Sequence, residues 1–276
     1  MVDHFPRSSV IRRVHVEPAI LFGAGRALAL QLAHPAVAQG VQDHSEFRHN
    51  PFTRLFGTLE ATHAVVFGAE ELADAVGRRI QFVHDHVTGA SYAANDPANL
   101  LWVHATLMDT ALRCYETLVG PLTALEAEGY YLEMKRVALA FGLGMADQPE
   151  TLSDFRAYMN ETIDSLTVTP VGVDLITFIL RPHLPFRLDV PLAPLLWLQR
   201  LFTVATLPPS LREQLGLSFT PEDQRRHARW ERRVHTMFRV TPFLLRTGPS
   251  RVGGRLLLRR ARRRVAEFDR TQPPGP

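Results

Sequence analysis

Residues 97–119, PANLLWVHATLMDTALRCYETLV, place apolar side chains at Leu100, Leu101, Leu107, Met108, Ala111, Tyr115 and Leu118, a recurrence that reads as one buried helical stripe. His104 falls in step with it. Burial disfavours a charged imidazole, and the neutral ring still carries one donor and one acceptor nitrogen. Such a side chain requires a hydrogen-bond partner, a water or a metal. Nine of the twelve histidines lie within the first 104 residues, which concentrates this chemistry toward the N-terminus.

The helical period extends outward from this stretch. Pro18 can open a helix to about Gly40, with Ile20, Leu21, Leu28, Leu32 and Val37 on its apolar side, bent or interrupted at His34-Pro35. A polar connection, Asp43 to Asn50, holds His44 and His49. Pro51 opens a helix to about Phe67, closed by Gly68, and another runs from about Glu70 to Val87. Asp96 is placed to N-cap the His104 helix, which Gly120-Pro121 ends. Further helices are expected over Thr123–Gly144, Thr151–Leu166, Leu192–Leu207, Pro221–Val240 and Val252–Phe268. The stretch Val168–Pro191, rich in proline and β-branched residues, suggests a short strand or an irregular crossover. With no internal repeat and no linker, the simplest reading is one all-α domain.

Composition narrows the function classes. The chain has 276 residues, 46% of them hydrophobic, enough for a substantial core, and a net charge of +3. Cys114 is the one cysteine, so no intramolecular disulfide forms. The N-terminus lacks the apolar stretch of a secretory signal, and a cytoplasmic location is expected. No apolar run reaches the ~18 residues of a membrane span. The basic stretch Arg255–Arg264 could lie on a membrane surface, while its ordinary role would be to pack Leu256, Leu257 and Leu258 on the domain. Aromatic residues are not interleaved with it, so nucleic acid is not an expected partner. Sequence leaves the oligomeric state open.

Arg54 and Thr58 lie four residues apart and share a helix face. A guanidinium there could bind a carboxylate, and the hydroxyl could orient water or dioxygen; a structural salt bridge and a helix-bonded threonine are the plainer alternative. His84 is the main rival of His104 as a ligand, whereas His86 points to solvent. His44, beside Ser45 and Glu46, either reaches a pocket or stabilises its loop. Cys114 reads as core. A di-iron bundle would need the Glu-x-x-His pairs Glu60/His63 and Glu46/His49 with further glutamates such as Glu126 and Glu133, but Asn50-Pro51 disrupts the second pair.

The strings HPAVAQGVQDHSEF (34–47), NPFTRLFGT (50–58), VHDHVTG (83–89), YAANDPANLLWVHATL (92–107) and GYYLEMKRVALAFGL (129–143), in this order, resemble the MpaB-like oxygenases, which share a domain with latex-clearing protein, the rubber oxygenase. The resemblance covers about residues 10–245. It implies a globin-like all-α domain holding haem b; beyond the span it covers, the residues themselves suggest a basic helix at 252–268 and a tail at 269–276. The proximal-histidine motif is best matched by WVHAT, which makes His104 the iron ligand. Arg54 and Thr58 match the family's Arg and Thr pair beside the cofactor, and His44 matches its HS motif on the distal side. Better-studied members carry a lysine just before that threonine, where this chain has Gly57. The implied reaction is oxygenation by O2 of a hydrophobic, isoprenoid-like or lipid-like substrate. A haem carrier or sensor without turnover is the competing reading, with the non-haem di-iron protein behind it.

Overall fold

The computed structural model describes residues 3–44, 51–181 and 186–271, with the side chains of 51–55 and 186–190 left aside. Its architecture is all-α. The chain forms α1 (Val10–His15), a 3-10 helix (Pro18–Gly23), α2 (Ala24–Ala33), α3 (Pro35–His44), α4 (Pro51–Phe67), α5 (Glu70–Asp85), a minimal antiparallel hairpin of β1 (Thr88–Gly89) and β2 (Tyr92–Ala93), α6 (Pro97–Leu118), α7 (Ala124–Ala140), α8 (Leu152–Ser165), α9 (Pro170–Leu180), α10 (Phe186–Thr206), α11 (Pro209–Gln214), α12 (Pro221–Val240) and α13 (Phe243–Thr271).

Local chemistry sets most of these boundaries. The Asp96 carboxylate accepts from the amides of Ala98 and Asn99, and Thr123 and Thr151 form reciprocal capping boxes with Glu126 and Asp154. Gly142, at φ 91°, lets the chain leave α7 while Leu143 N–H returns to the Ala138 carbonyl. His34 is extended before Pro35, so the expected 18–40 helix becomes a 3-10 helix and two α-helices, α2 and α3 meeting at 101°.

Two expectations need correction. Residues 168–191 hold no strand among those described: Thr169 caps α9, Pro170 occupies its first position, and α10 already begins at Phe186 with Pro191 and Pro194 inside it. The C-terminal helix starts at Phe243 rather than Val252 and absorbs Pro249. Helices α1 and α11 are each six residues long and depend on tertiary contacts, as when the Glu133 carboxylate accepts from Ile11 N–H at 2.6 Å.

Helix α6 runs through the core, against the 3-10 helix and α2 on one side and α1, α7 and α12 on others. Trp102, wholly buried, donates its indole N–H to the Leu30 carbonyl at 3.1 Å and so locks α6 to α2. Buried Arg26 pairs with Asp109 at 2.6 Å and donates to Thr110 Oγ1 and the Thr206 carbonyl, which joins α2, α6 and α10. Helices α4 and α5 form a second layer over α7, covered by α13 through Ala261 and Val265. Among the described residues no single helix is long and apolar enough to cross a membrane.

The α5–α7 contact depends on Gly77, where an added Cβ would overlap the Ala140 carbonyl oxygen, a backbone atom that cannot step aside. Gly77→Ala is expected to destabilise the protein by about 1–3 kcal/mol, whereas Gly253→Ala, open to space in α13, should be neutral or stabilising. Thermal unfolding followed by circular dichroism measures both; equal melting temperatures for the two variants would contradict the close approach.

Candidate functional site

A cavity of about 450 Å³ opens between the two layers, within the ~300–1,000 Å³ usual for small-molecule and cofactor sites. Its walls are mostly apolar. Ile20, Ala27 and Leu28 come from the 3-10 helix and α2, Ile80 and Val83 from α5, Leu100, Val103 and Leu107 from α6, and Val137 and Ala138 from α7. Into this surface project a few polar groups, chiefly His15, Thr58, Arg79, His84, His104 and Arg264.

His104 occupies the α6 wall at 7% exposure, and its Nε2 lies 2.9 Å from the Met134 carbonyl oxygen of α7. A carbonyl only accepts, so Nε2 carries the hydrogen and donates it. In the neutral ring Nδ1 then holds the lone pair. Burial pushes this imidazole down to about 4, the Met134 hydrogen bond opposing only part of that fall, so it is neutral at pH 7. Asp109, five residues on, points away and is committed to Arg26.

The structure brings His84 and Thr58 to the same cavity as His104. His84 stands half-buried in the last turn of α5, and Thr58 half-buried on α4 beside Gly57. A Cβ at Gly57 would meet nothing within 4 Å, so the place of the family lysine is open space. Arg54 lies in the first turns of α4, and its side chain falls outside the described residues. His44 is not brought to the cavity: it is exposed at the end of α3, with Nε2 3.1 Å from the Thr88 carbonyl, which fits the loop-stabilising alternative. His86 is exposed and held by the Phe82 carbonyl. Lys135 also points elsewhere, donating to the Pro149 carbonyl at 2.8 Å. Burial pushes the Cys114 thiol up to about 11, which suits a core residue and not a thiolate ligand.

The di-iron carboxylates are engaged separately. Glu126 caps α7 and pairs with Arg13, Glu133 holds the start of α1, and Glu60 pairs with Arg260 and Arg264. Glu46 and His49 lie outside the described residues. Among the described residues no three His, Cys, Asp or Glu side chains converge as a metal cage. One neutral imidazole on an apolar wall suits a metal whose other positions are filled by a ligand it brings with it.

Three cavity residues escaped the sequence reading. His15, from short α1, meets Tyr130 Oη at 3.2 Å and is pushed down to about 3 by burial and then by His63 and His104. Arg79 and Arg264 come from α5 and α13. No local signal marks them, because each reaches the cavity only through the packing of distant helices.

The arrangement coincides with a match to known proteins. The family described as "ER-bound oxygenase mpaB/B'/Rubber oxygenase, catalytic domain" matches residues 12–239, from α1 through nearly all of α12, and so includes every wall of the cavity except Arg264. An uncharacterized protein of Mycobacterium tuberculosis and one of Mycobacterium bovis are each 27% identical over 208 residues, covering 71% of this chain and 80% of the relative. No solved structure gives a significant match. An all-α scaffold with a buried histidine over an apolar cavity, matched over most of its length, belongs to the mpaB and rubber oxygenase catalytic-domain family.

Proposed function

We propose that this oxygenase-family protein holds haem b with His104 as the axial ligand and oxygenates a hydrophobic, isoprenoid-like or lipid-like substrate with O2. The observation that carries the reading is the neutral His104 imidazole on an apolar wall, its Nε2–H anchored to Met134 and its other nitrogen left with a lone pair. An iron ligand needs those properties: a fixed ring, a fixed tautomer and no competing proton. The absence of a multi-residue cage among the described residues favours a porphyrin, which fills the remaining equatorial positions itself, over a bare ion.

Bound haem would supply the redox chemistry toward dioxygen, while the chain sets access, polarity and orientation. The aliphatic walls from α2, α5 and α6 would exclude water and take up an apolar substrate. Thr58 offers a hydroxyl on the α4 wall, and Arg54, one turn earlier, is assigned beside it by the family resemblance. Gly57 leaves free volume where a lysine would stand. His84, on the α5 wall, would bond water or substrate in this reading.

Optical spectra of haem-loaded wild type and His104→Ala test the cofactor and its ligand together. Loss of the Soret band in His104→Ala and its retention in His84→Ala are expected; the reverse pattern would move the ligand to α5. Oxygen uptake by the loaded protein with an apolar alkene is expected, and a loaded protein consuming none would be a carrier or sensor.

The open space at Gly57 leads to a second expectation. Added imidazole should shift the ferric spectrum of the wild type to a six-coordinate, low-spin form, whereas Gly57→Lys should show that form without imidazole. A wild type already six-coordinate through two protein ligands would contradict an open distal side.

A third concerns pH. Burial lowers His104 and His63 to about 4 and His15 to about 3, from 6.5 in the unfolded chain. The unfolded state therefore takes up protons first, and the stability these rings contribute is complete above pH 6.5 and is lost as pH falls toward 4. Melting temperatures of cofactor-free protein should decline from pH 6.5 to 5, above the usual carboxylate range, and less steeply in His15→Phe. A flat profile over that interval would mean that these rings are not buried.

A further inference from the structure

Helix α13 lies wholly beyond the family match, yet through Arg264 it borders the cavity and brings charge to it. Ala261 and Val265 bury against Ala61, Ala64, Ala75 and Val76 of α4 and α5. On the same face, Arg260 Nε and Arg264 Nη1 lie 3.1 and 3.5 Å from the carboxylate of Glu60, which is 2% exposed. Arg79, from α5, borders the cavity together with Arg264. Two guanidinium groups thus share one carboxylate, a third borders the same cavity, and the surplus positive charge faces an apolar chamber.

Arg79 sharpens the imbalance. Its Nε is enclosed by protein and has no hydrogen-bond partner among the described residues. Burial, followed by the charge of Arg264, disfavours its protonated form, with Glu60 offsetting only part of that. A desolvated guanidinium beside another cation is unfavourable unless an anion joins it. Glu60 is shared between two arginines of α13, and among the described residues no other carboxylate pairs with Arg79, which leaves that place open to an external anion. The planar donor fork matches the two oxygens of a carboxylate, and the aliphatic walls suit an apolar body for it.

We propose that Arg79 and Arg264 form a carboxylate clamp at the α13 end of the cavity, which binds an apolar ligand through its acid group. Two molecules fit that chemistry: a porphyrin, through its propionates, or a long-chain carboxylic acid as substrate. The clamp rests on the reading of this cavity as the ligand site but not on iron ligation by His104.

The full-length, cofactor-free protein is titrated with metal-free protoporphyrin IX and its dimethyl ester, followed by porphyrin fluorescence, and in parallel with a fluorescent long-chain fatty acid and its methyl ester. At least one acid binds about tenfold or more tightly than its ester, the scale of one charge-assisted contact. Arg79→Gln and Arg264→Gln each reduce the acid to the affinity of the ester, leave ester binding unchanged, and keep the helical circular dichroism. Discrimination in the porphyrin arm assigns the clamp to propionates, and discrimination in the fatty-acid arm assigns it to substrate. Equal affinities of acid and ester in both arms, binding of neither acid, or an acid preference that survives in both variants overturns the clamp. The wild-type comparison needs no variant to fold. Because no iron is present, His104→Ala should retain the acid preference, so loss of the haem reading and loss of the clamp are told apart.

Discussion

The hydrogen bond from His104 Nε2–H to the Met134 carbonyl joins two helices that both line the cavity, and it decides the chemical state of the ring. An imidazole surrounded by leucine, valine and alanine has no solvent to orient it, and burial takes away its charge. The carbonyl of a helical residue has a second lone pair beyond the one used in its own helix. Met134 can therefore hold the ring without breaking α7. The consequence is a fixed tautomer with a lone pair on the opposite nitrogen, on a helix that Trp102 and the Arg26–Asp109 pair bind to α2.

The chamber around that ring is assembled from segments far apart in sequence, and its two ends differ in kind. Near His104 and His15 the polar groups are neutral imidazoles in apolar surroundings. Toward α13 the surface turns cationic through Arg79 and Arg264, with Glu60 holding α13 in place. A ligand with a flat or extended apolar body and an acidic edge satisfies both ends at once. Half-burying these cations costs folding free energy that apolar side chains would not, which is intelligible where a ligand compensates them.

Much of the fold was legible because its signals are local. Asp96, Thr123 and Thr151 mark helix starts by side chains that bond their own amides, Gly120-Pro121 marks an end, and the apolar stripe around His104 has an unbroken helical period. Prolines misled where tertiary packing outweighed them: Pro191 and Pro194 lie within α10, and Pro249 within α13, where sequence suggested a crossover or a later start. Short α1 was invisible because six residues carry little intrinsic helicity and its amide partner, Glu133, is 122 positions from Ile11. The site divides in the same way. His104 could be singled out from periodicity on its own helix, and Thr58 and His84 from motif position. His44 lies in a matching motif but at the exposed end of α3, and nothing near Arg79 or Arg264 in sequence foretells that α13 folds back over α5.

A crystal structure of the haem-loaded protein measures the central relation directly, as the distance between the iron and the His104 ring. A bond between the iron and an imidazole nitrogen of His104, with the porphyrin inside the cavity and the opposite ring nitrogen on the Met134 carbonyl, is the expected result. Iron held by His84 or His15, or a porphyrin seated outside this chamber, would contradict it.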